Sequence, residues 1–279
     1  MENEKKKETE GSVVNYTKQP NTISSLKSDF IALGVKPGDI IIMHSSLSKI
    51  GWTVGGSVAV IKSMMDLLTP DGTLVMPTFT SDNSEPSEWE NPPVPKSWWD
   101  TIRNEMPAFN PKITPTRGMG LIVETFRNWP EVLRNNHPVS SFAAWGKHAN
   151  FIIGNHDLEA DLGEGSPIAR LYELNGLILL LGVTHENNTS IHLAEYRSEF
   201  PGKKYNNTGS AMMVKNQRKW VEWKELELNS DDFEQLGAEF ESSFDFKLGK
   251  IGEAKARLIS LRTIVDFGVK WLPKNRKIP

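Results

Sequence analysis

The spacing of apolar residues predicts alternating helices and strands along most of the chain. Between Asn21 and Gly34 the apolar positions step by three and four, which predicts an amphipathic helix: Ile23, Leu26, Phe30 and Leu33. Buried strands are predicted at 39–44 and 72–79. The helix predicted between them has one apolar face, formed by Val58, Ile61, Met65 and Leu68. Because a strand, a helix and a strand so close in sequence form a right-handed crossover, the two strands are predicted to be parallel.

The same pattern continues through the middle of the chain. Strands are predicted at 141–146 and 177–183, and the second, LILLLGV, is so uniformly apolar that it is expected at the centre of the sheet. Helical stretches alternate with these strands near 119–129, 147–154, 167–174 and 189–199. Residues 81–117 carry many Pro, Trp and Asn residues without a sustained period and predict a long ordered loop. The predicted fold class is α/β, with a central, largely parallel or mixed sheet flanked by helices.

The two ends of the chain differ from this core. Residues 1–20 mix charges with almost no apolar period and predict a flexible arm. After Pro201, the segment AMMVKNQRKWVEW predicts two short strands around Asn216 and Gln217, followed by two helices, the last near 254–272. We therefore predict a single domain over 21–279. Its core, at about 21–200, carries an appended, smaller antiparallel β and helical piece at about 201–279.

Composition narrows the class of protein. With a formal net charge of −3, the chain shows no general affinity for nucleic acid or for an anionic membrane surface. No apolar run approaches the roughly 20 residues that span a bilayer, and the N-terminus lacks the apolar core of a secretory signal, so a cytoplasmic location is expected. The absence of cysteine excludes disulfides, thiolate nucleophiles and cysteine-based zinc sites. The chemistry must therefore use oxygen and nitrogen groups.

Two short segments follow the first predicted strand and suit a phosphate-bearing ligand. The sequence His-Ser-Ser-Leu (44–47) ends the strand, and Val-Gly-Gly (54–56) directly precedes the next helix. Ligands of parallel sheets bind at the carboxyl ends of strands, and amides at a helix start favour phosphate groups. The two glycines alone also fit a tight turn. Neither a P-loop nor a dinucleotide-binding glycine fingerprint is present.

A candidate base lies just beyond the apolar strand, in the segment Thr-Ser-Ile-His-Leu-Ala-Glu (189–195). On a helix His192 and Glu195 project from the same face, so the carboxylate can orient the imidazole. A histidine at a helix start that simply bonds to its neighbours is the structural alternative. His185 and His137 could also join His192 as metal ligands, but the residues between 185 and 192 offer amides and hydroxyls rather than further ligands.

Two further segments have weaker patterns. Arg134 and His137 precede a strand in a turn-rich segment and could contact phosphate oxygens, although either could equally be a surface residue. Acidic residues between Glu222 and Asp232 could attract a polycationic substrate, although acidic runs are usually solvated faces.

Seven segments together resemble the aminoglycoside 3-N-acetyltransferases, and they occur in the same order: HSSLSKIGWTVGG, GTLVMPTFT, GMGLIVETFR, RNNHPVSSFAAWG, GEGSPIARL, LLLGV and NNTSIHLAE. The resemblance spans roughly residues 23–200, and the C-terminal third matches only loosely. It implies an α/β fold unlike the common N-acetyltransferase superfamily. It also implies acetyl-coenzyme A as donor and the 3-amino group of a deoxystreptamine ring as acceptor.

The resemblance implies roles for individual residues as well. His192 is expected to be the catalytic base, with Glu195 and Glu124 as the accompanying carboxylates. Together with the strand-end segments, it predicts a set of coenzyme-binding residues: His44, Ser45, Ser46, Leu47, Val54, Gly55, Gly56, Thr78, Arg134, His137 and Ser140. Where some family members carry an aspartate after the M-P-x-x segment, this chain reads MPTFTSDNSE. Asp82 or Glu85 is the approximate counterpart in this segment. Carboxylates of the long loop and of the C-terminal piece are predicted to attract the acceptor: Asp82, Glu225 and Glu227.

The sequence thus predicts an acetyl-coenzyme A-dependent N-acetyltransferase that acts by direct, general-base transfer to an aminoglycoside and confers antibiotic resistance. No metal, nucleic acid or membrane partner is predicted, and a homo-oligomer is left open. Three alternatives remain at this point. They are an acetyltransferase for a different amine, a non-catalytic protein that binds coenzyme A or another ligand, and a metal-dependent hydrolase.

Overall fold

A computed structural model of the chain describes residues 9–277. Within this range the strands are β1 (Ile40–Ser45), β2 (Thr73–Pro77), β3 (Leu133–Arg134), β4 (Phe142–Gly146), β5 (Leu177–Leu181), β6 (Tyr205–Val214), β7 (Gln217–Leu226), β8 (Lys247–Ile251) and β9 (Ala254–Ser260). The helices are α1 (Glu10–Tyr16), α2 (Ile23–Leu33), α3 (Leu47–Ile50), α4 (Gly56–Leu68), α5 (Trp99–Glu105), α6 (Gly120–Arg127), α7 (Ala149–Ile152), α8 (Pro167–Glu173), α9 (His192–Arg197), α10 (Phe233–Ser243) and α11 (Leu261–Asn275). Short 3₁₀ turns lie at Ser81–Asn83, Pro86–Glu88, Lys96–Trp98, Leu158–Ala160, His185–Asn187 and Thr189–Ile191.

Seven strands form one mixed sheet, in the order β3-β4-β2-β1-β5-β9-β8. Strand β1 pairs in parallel with both β2 and β5, whereas β4 and β9 pair antiparallel with their neighbours. The parallel β1–β2 pair and the central position of the apolar strand β5 confirm two of the sequence predictions. The carboxyl ends of β1, β2 and β5 consequently meet at one edge of the sheet.

Alternating side chains of β1 divide the core into two layers. Ile41 and Met43 face a layer that includes Leu26 of α2 and Met64 of α4, and Ile42 faces the opposite layer, built largely on α7 to α11. Local signals set the ends of α2, because Thr22 and Ser25 form a capping box and Gly34 closes the helix at φ 109°.

The chain beyond Pro201 is divided differently from the sequence prediction. Only the hairpin β6–β7 forms a separate, smaller antiparallel sheet, and its turn residues Lys215 and Asn216 both have positive φ. Strands β8 and β9 then return to the main sheet. Residues 254–260 were predicted as the start of a helix. They form β9 because their alternating apolar positions, such as Ala254 and Ala256, pack beneath α2 and its neighbours, and burial overrides helical propensity.

The predicted N-terminal arm lies partly outside the described residues, which begin at 9. Of its remaining part, α1 is a helix capped by Thr9, with Val13 buried and the Tyr16 hydroxyl donating to the Ser48 carbonyl. This part of the arm is docked on the core. Among the described residues, every helix is too short or too polar to cross a membrane.

Candidate active site

A cavity of about 250 Å³ lies at the sheet edge where β1, β2 and β5 end. His44 and Ser45 of β1 line it, as do Pro77 at the end of β2 and Val183 just after β5. His192, the first residue of α9, completes the wall. The cavity therefore has the position at which open α/β sheets bind their ligands.

The predicted dyad of His192 and Glu195 is formed. His192 Nδ1 bonds to Glu195 Oε2, and the other carboxylate oxygen, Oε1, accepts bonds from the Asn229 amide at 3.2 Å and from Arg276. Burial raises the pKa of the Glu195 carboxyl, but its hydrogen bonds from His192 and Arg276 outweigh burial and lower it overall. An ionised Glu195 carboxylate can only accept a hydrogen bond, so the Nδ1 of His192 must carry the proton of this bond. In the neutral ring Nε2 is then the basic atom.

Two polar side chains of β1 face the same cavity without internal partners. His44 Nε2 and Ser45 Oγ are enclosed and have no hydrogen bond within the described part of the chain. Burial, with a smaller contribution from nearby His192, lowers the pKa of His44 to about 4. The His44 ring is therefore neutral at physiological pH, and both groups retain unused hydrogen-bonding capacity beside the cavity.

The predicted phosphate-binding turn has the expected backbone geometry. Gly55 and Gly56 adopt φ of 81° and 54°, a region that favours glycine, and α4 begins without a side-chain cap on its first amides. Val54 beside them is half exposed. On the other side of the loop, Ser46 precedes α3 without capping it, and Leu47 packs against the core. The Gly56 amide donates to the Thr53 carbonyl at 2.9 Å, so the amides that α4 can offer to an anion are those that follow Gly56 in its first turn.

Thr78 and Arg134 lie behind this cavity and bond to each other. The Arg134 Nε donates to Thr78 Oγ1 at 3.1 Å, and its Nη1 and Nη2 donate to the carbonyls of Thr114 and Thr78 at 2.6 and 2.8 Å. The Thr78 amide is also bonded, to the Ser141 carbonyl at 2.8 Å. Burial lowers the pKa of Arg134 to about 10. These bonds tie the long loop to the sheet, and neither residue lines the cavity that holds His192.

His137 and Ser140 are likewise internal. The His137 Nδ1 accepts from the Ser140 amide at 2.9 Å, and its Nε2 points toward Asp161 Oδ1 at 3.9 Å. Burial lowers the pKa of His137 to about 4. The structure therefore does not bring these residues to the His44–His192 cavity. Within residues 9–277, no three histidine, aspartate or glutamate side chains are grouped to hold a metal ion.

Glu124 was the second predicted partner of His192, and the structure places it elsewhere. Its carboxylate accepts from Arg127 Nε at 2.9 Å and from the Thr116 hydroxyl at 2.8 Å. Burial opposes ionisation, but these bonds dominate and lower the pKa of Glu124 to about 2. Glu124 thus fixes the loop before α6, and Glu195 alone of the two contacts His192.

A second, larger cavity of about 530 Å³ adjoins the first. Four carboxylates line it, together with Trp89 and one guanidinium, that of Arg117: Asp82, Glu88, Glu90 and Glu225. The Arg117 amide donates to the Phe79 carbonyl at 2.9 Å, and Phe79 lines the smaller cavity. The two cavities therefore share a wall, and the larger one has the volume and charge to hold a cationic small molecule.

The three predicted acceptor residues separate in the structure. Asp82 lines the larger cavity, where its Oδ2 is 3.3 Å from Arg117 Nη1. Glu225 lines it as well, and burial, followed by repulsion from Asp161, raises the pKa of Glu225 to about 8. Glu227 is absent from the lining and pairs on the surface with Lys204 at 2.8 Å.

Several residues at the site were missed by the sequence reasoning. Phe233 of α10 packs against His192 with ring centroids 4.8 Å apart, and Asn229 and Arg276 contact Glu195. All three lie in the C-terminal part that was predicted to be an appendage. Glu88 and Glu90 are in the long loop, where their acidic side chains flanking Trp89 were the available signal.

An imidazole backed by a buried carboxylate, at the strand ends of an α/β sheet and beside an acidic cavity, is an arrangement typical of the active site of an enzyme. Comparison with known proteins gives the particular family. The family model described as aminoglycoside 3-N-acetyltransferase matches residues 42–273. The chain belongs to this family.

Individual relatives agree with this assignment. The chain is 49% identical over 264 residues to the SPbeta prophage-derived aminoglycoside N(3')-acetyltransferase-like protein YokD of Bacillus subtilis (strain 168), covering 94% of this chain and 96% of the relative. The crystal structure of YokD superposes with a TM-score of 0.93 at 48% identity, covering 96% of this chain and all of that one.

Two liganded structures are also similar. AAC-IIIb in a binary complex with CoASH has a TM-score of 0.83 and 30% identity, covering 94% of this chain and 99% of that one. AAC-VIa bound to sisomicin has a TM-score of 0.84 and 27% identity, covering 93% of this chain and all of that one. The predicted family, α/β fold, acyltransferase class and acetyl-coenzyme A donor are confirmed.

Proposed function

We propose that this enzyme transfers the acetyl group of acetyl-coenzyme A directly to the 3-amino group of an aminoglycoside and thereby confers resistance. The observation that carries the proposal is the position of His192. It lies in the smaller cavity, whose wall is shared with a larger, acidic cavity suited to a polyamine. The sisomicin complex of AAC-VIa supports an aminoglycoside as the acceptor.

His192 is the proposed general base. Its Nε2 takes a proton from the attacking amine as the new N–C bond forms and the C–S bond of the thioester breaks. The proton then passes to the departing thiolate, so the enzyme ends in its starting state. Glu195 stabilises the transient imidazolium through Nδ1. Such base catalysis typically contributes about 10²–10⁴-fold in rate.

His44 and Ser45 are proposed to stabilise the oxygen of the thioester as it becomes negative. Thr78, one of the predicted coenzyme-binding residues, is less suited to this role because its hydroxyl and amide are both engaged by internal partners. His44 and Ser45 line the cavity, and their buried Nε2 and Oγ atoms lack such partners among the described residues. A neutral imidazole can donate a hydrogen bond to a developing oxyanion without itself losing a proton.

The two substrates are proposed to bind through opposite charges. The first turn of α4, beyond the Gly56 amide that bonds to Thr53, provides uncapped amides for the pyrophosphate of the coenzyme. On the acceptor side, Asp82, Glu88 and Glu225 provide carboxylates for ammonium groups, and Trp89 provides an apolar face for a sugar ring. The reacting amine would then approach His192 across the wall at Phe79.

The test is thiol release from acetyl-coenzyme A by the purified enzyme, with and without gentamicin, kanamycin and apramycin. We expect release that depends on an aminoglycoside and is lost, by about 10²-fold or more, in His192→Ala with coenzyme binding retained. His148→Ala is the matched control, because His148 lines neither cavity.

Two results would contradict the proposal. Turnover by His192→Ala close to that of the wild type would remove His192 from the chemistry. Coenzyme binding without aminoglycoside-dependent release would place the acceptor in a different class of amine, which a panel of amino sugars and polyamines would then identify.

A further inference from the structure

The guanidinium of Arg276, just beyond the end of α11, is held by an unusually complete set of contacts. Its Nε and Nη2 donate to the two oxygens of Asp232 at 2.8 and 2.6 Å, and Nη2 also donates to the Asn229 carbonyl at 2.8 Å. Its Nη1 donates to Glu195, and its face lies 4.8 Å from the centre of the Phe200 ring. A side chain fixed on two edges and one face has little freedom to rotate.

The contact with Glu195 matters because that carboxylate has no exposed surface. A buried carboxylate needs an opposite charge and hydrogen bonds for each oxygen, or it becomes protonated or turns away. One oxygen of Glu195 bonds to His192, and the other bonds to Arg276 and to the Asn229 amide. Arg276 therefore fixes the plane of the carboxylate that orients the imidazole.

We propose that Arg276 is a positioning residue for acetyl transfer, which holds Glu195 so that His192 presents its unprotonated Nε2 to the reaction cavity. The inference rests on the proposed role of His192 as the base. Arg276 touches neither cavity and so acts only through Glu195. It also lies outside the family match, which ends at residue 273.

Arg276 acts on both the geometry and the charge of the dyad. Without its bond to Oε1, the carboxylate can rotate away from Nδ1, and a displacement on the order of 1 Å at a reacting group can cost about 10²-fold in rate. Without its positive charge, Glu195 is left unbalanced and the pair retains a proton more readily. The other charged or titratable groups near the dyad include His44, Asp161, Asp232 and Glu186, which lines the same cavity as His192, and the substitutions leave all of them in place.

The experiment compares Arg276→Gln, Arg276→Lys and Arg276→Ala in the full chain, with steady-state kinetics from pH 5.5 to 9. Arg276→Gln is expected to lower kcat by about 10- to 100-fold with little change in either KM. In the pH profile of kcat/KM for this variant, the acidic limb should move to higher pH. Arg276→Lys keeps the charge but cannot bridge Glu195 and Asp232 in the same way. It should therefore lower kcat while leaving the acidic limb near that of the wild type.

A matched control separates positioning from stability. Arg262 lies in α11, the helix that ends directly before Arg276, and it donates to the Tyr172 carbonyl at 3.0 Å rather than to the dyad. Arg262→Gln should lower the melting temperature without moving the acidic limb. Guanidinium added to folded Arg276→Ala should restore part of kcat, which a purely structural role would not predict.

The outcomes distinguish this inference from the function on which it rests. If Arg276→Gln keeps wild-type kcat and an unshifted limb while His192→Ala is inactive, Arg276 is not a positioning residue and the base assignment stands. If His192→Ala is active, the base assignment fails first. Folded Arg276→Ala that guanidinium does not rescue would also overturn the inference.

Discussion

The acceptor cavity contains a carboxyl group that should make acceptor binding depend on pH. Glu225 lines the cavity, its Oε2 accepts from Trp223 Nε1 at 3.1 Å, and burial together with Asp161 raises its pKa to about 8. At pH 7 most Glu225 is therefore protonated, whereas an ammonium group of the acceptor favours the ionised form. Binding at pH 7 must remove this proton.

The magnitude follows from the distance between the pKa and the working pH. A difference of one unit between the pKa and the pH corresponds to about 1.4 kcal/mol of free energy, or about tenfold in affinity. The contribution of Glu225 to acceptor affinity should therefore increase by up to about tenfold between pH 7 and pH 9. Because the acceptor amines lose protons over the same range, the useful quantity is the ratio of Kd for Glu225→Gln to Kd for the wild type.

Isothermal titration with gentamicin from pH 6 to 9 measures this ratio, and buffers of different ionisation enthalpy count the protons released. Glu227→Gln is the matched control, because bonds from Lys204 and Asn206 lower the pKa of Glu227 and keep it ionised throughout. Its ratio should not change with pH. A ratio for Glu225→Gln that is flat from pH 6 to 9 would refute the reasoning.

Two further substitutions test the structural assignments. Glu124→Gln should keep kcat within a few fold and lower the melting temperature, because Glu124 bonds Arg127 and Thr116 rather than His192; a loss as large as that of His192→Ala would restore Glu124 to the chemistry. Gly237→Ala should lower the free energy of unfolding in urea by about 1–3 kcal/mol, because a methyl group there overlaps the His185 ring. Gly11→Ala, at an open position, is its control, and equal stability of the two variants would contradict the predicted overlap.

The sheet was predictable where periodicity and burial agree. The uniformly apolar β5 lies between β1 and β9, as its composition indicates, and Gly34 ends α2 where the pattern stops. Strand β9 was missed because its Ala, Lys and Arg residues suit a helix in isolation. Its pairing with β5 is set by tertiary contacts that a local pattern does not contain.

The site was predictable only where its parts are close in sequence. His192 and Glu195 are three residues apart, so helical geometry alone brings them together. Arg276 reaches Glu195 from 81 residues away, through the return of the chain to the main sheet. No spacing rule anticipates that contact.

Resemblance to a family has a different limit. It selected Arg134 and His137 along with His44, yet the structure uses the first two inside the protein and only the third at the cavity. A shared motif identifies positions that a fold needs. It does not separate residues that support the sheet from residues that touch a substrate.

The two outer strands of the main sheet affect how the enzyme behaves at high concentration. An open sheet edge presents unpaired amides and carbonyls that can recruit another chain. Here one edge is β3, only two residues long, and the other is β8, which carries exposed Lys247 and Lys250. The short strand β3 and the positive charges on β8 both oppose edge-to-edge pairing of the sheets of two chains. The fold itself therefore helps to keep the chains from aggregating.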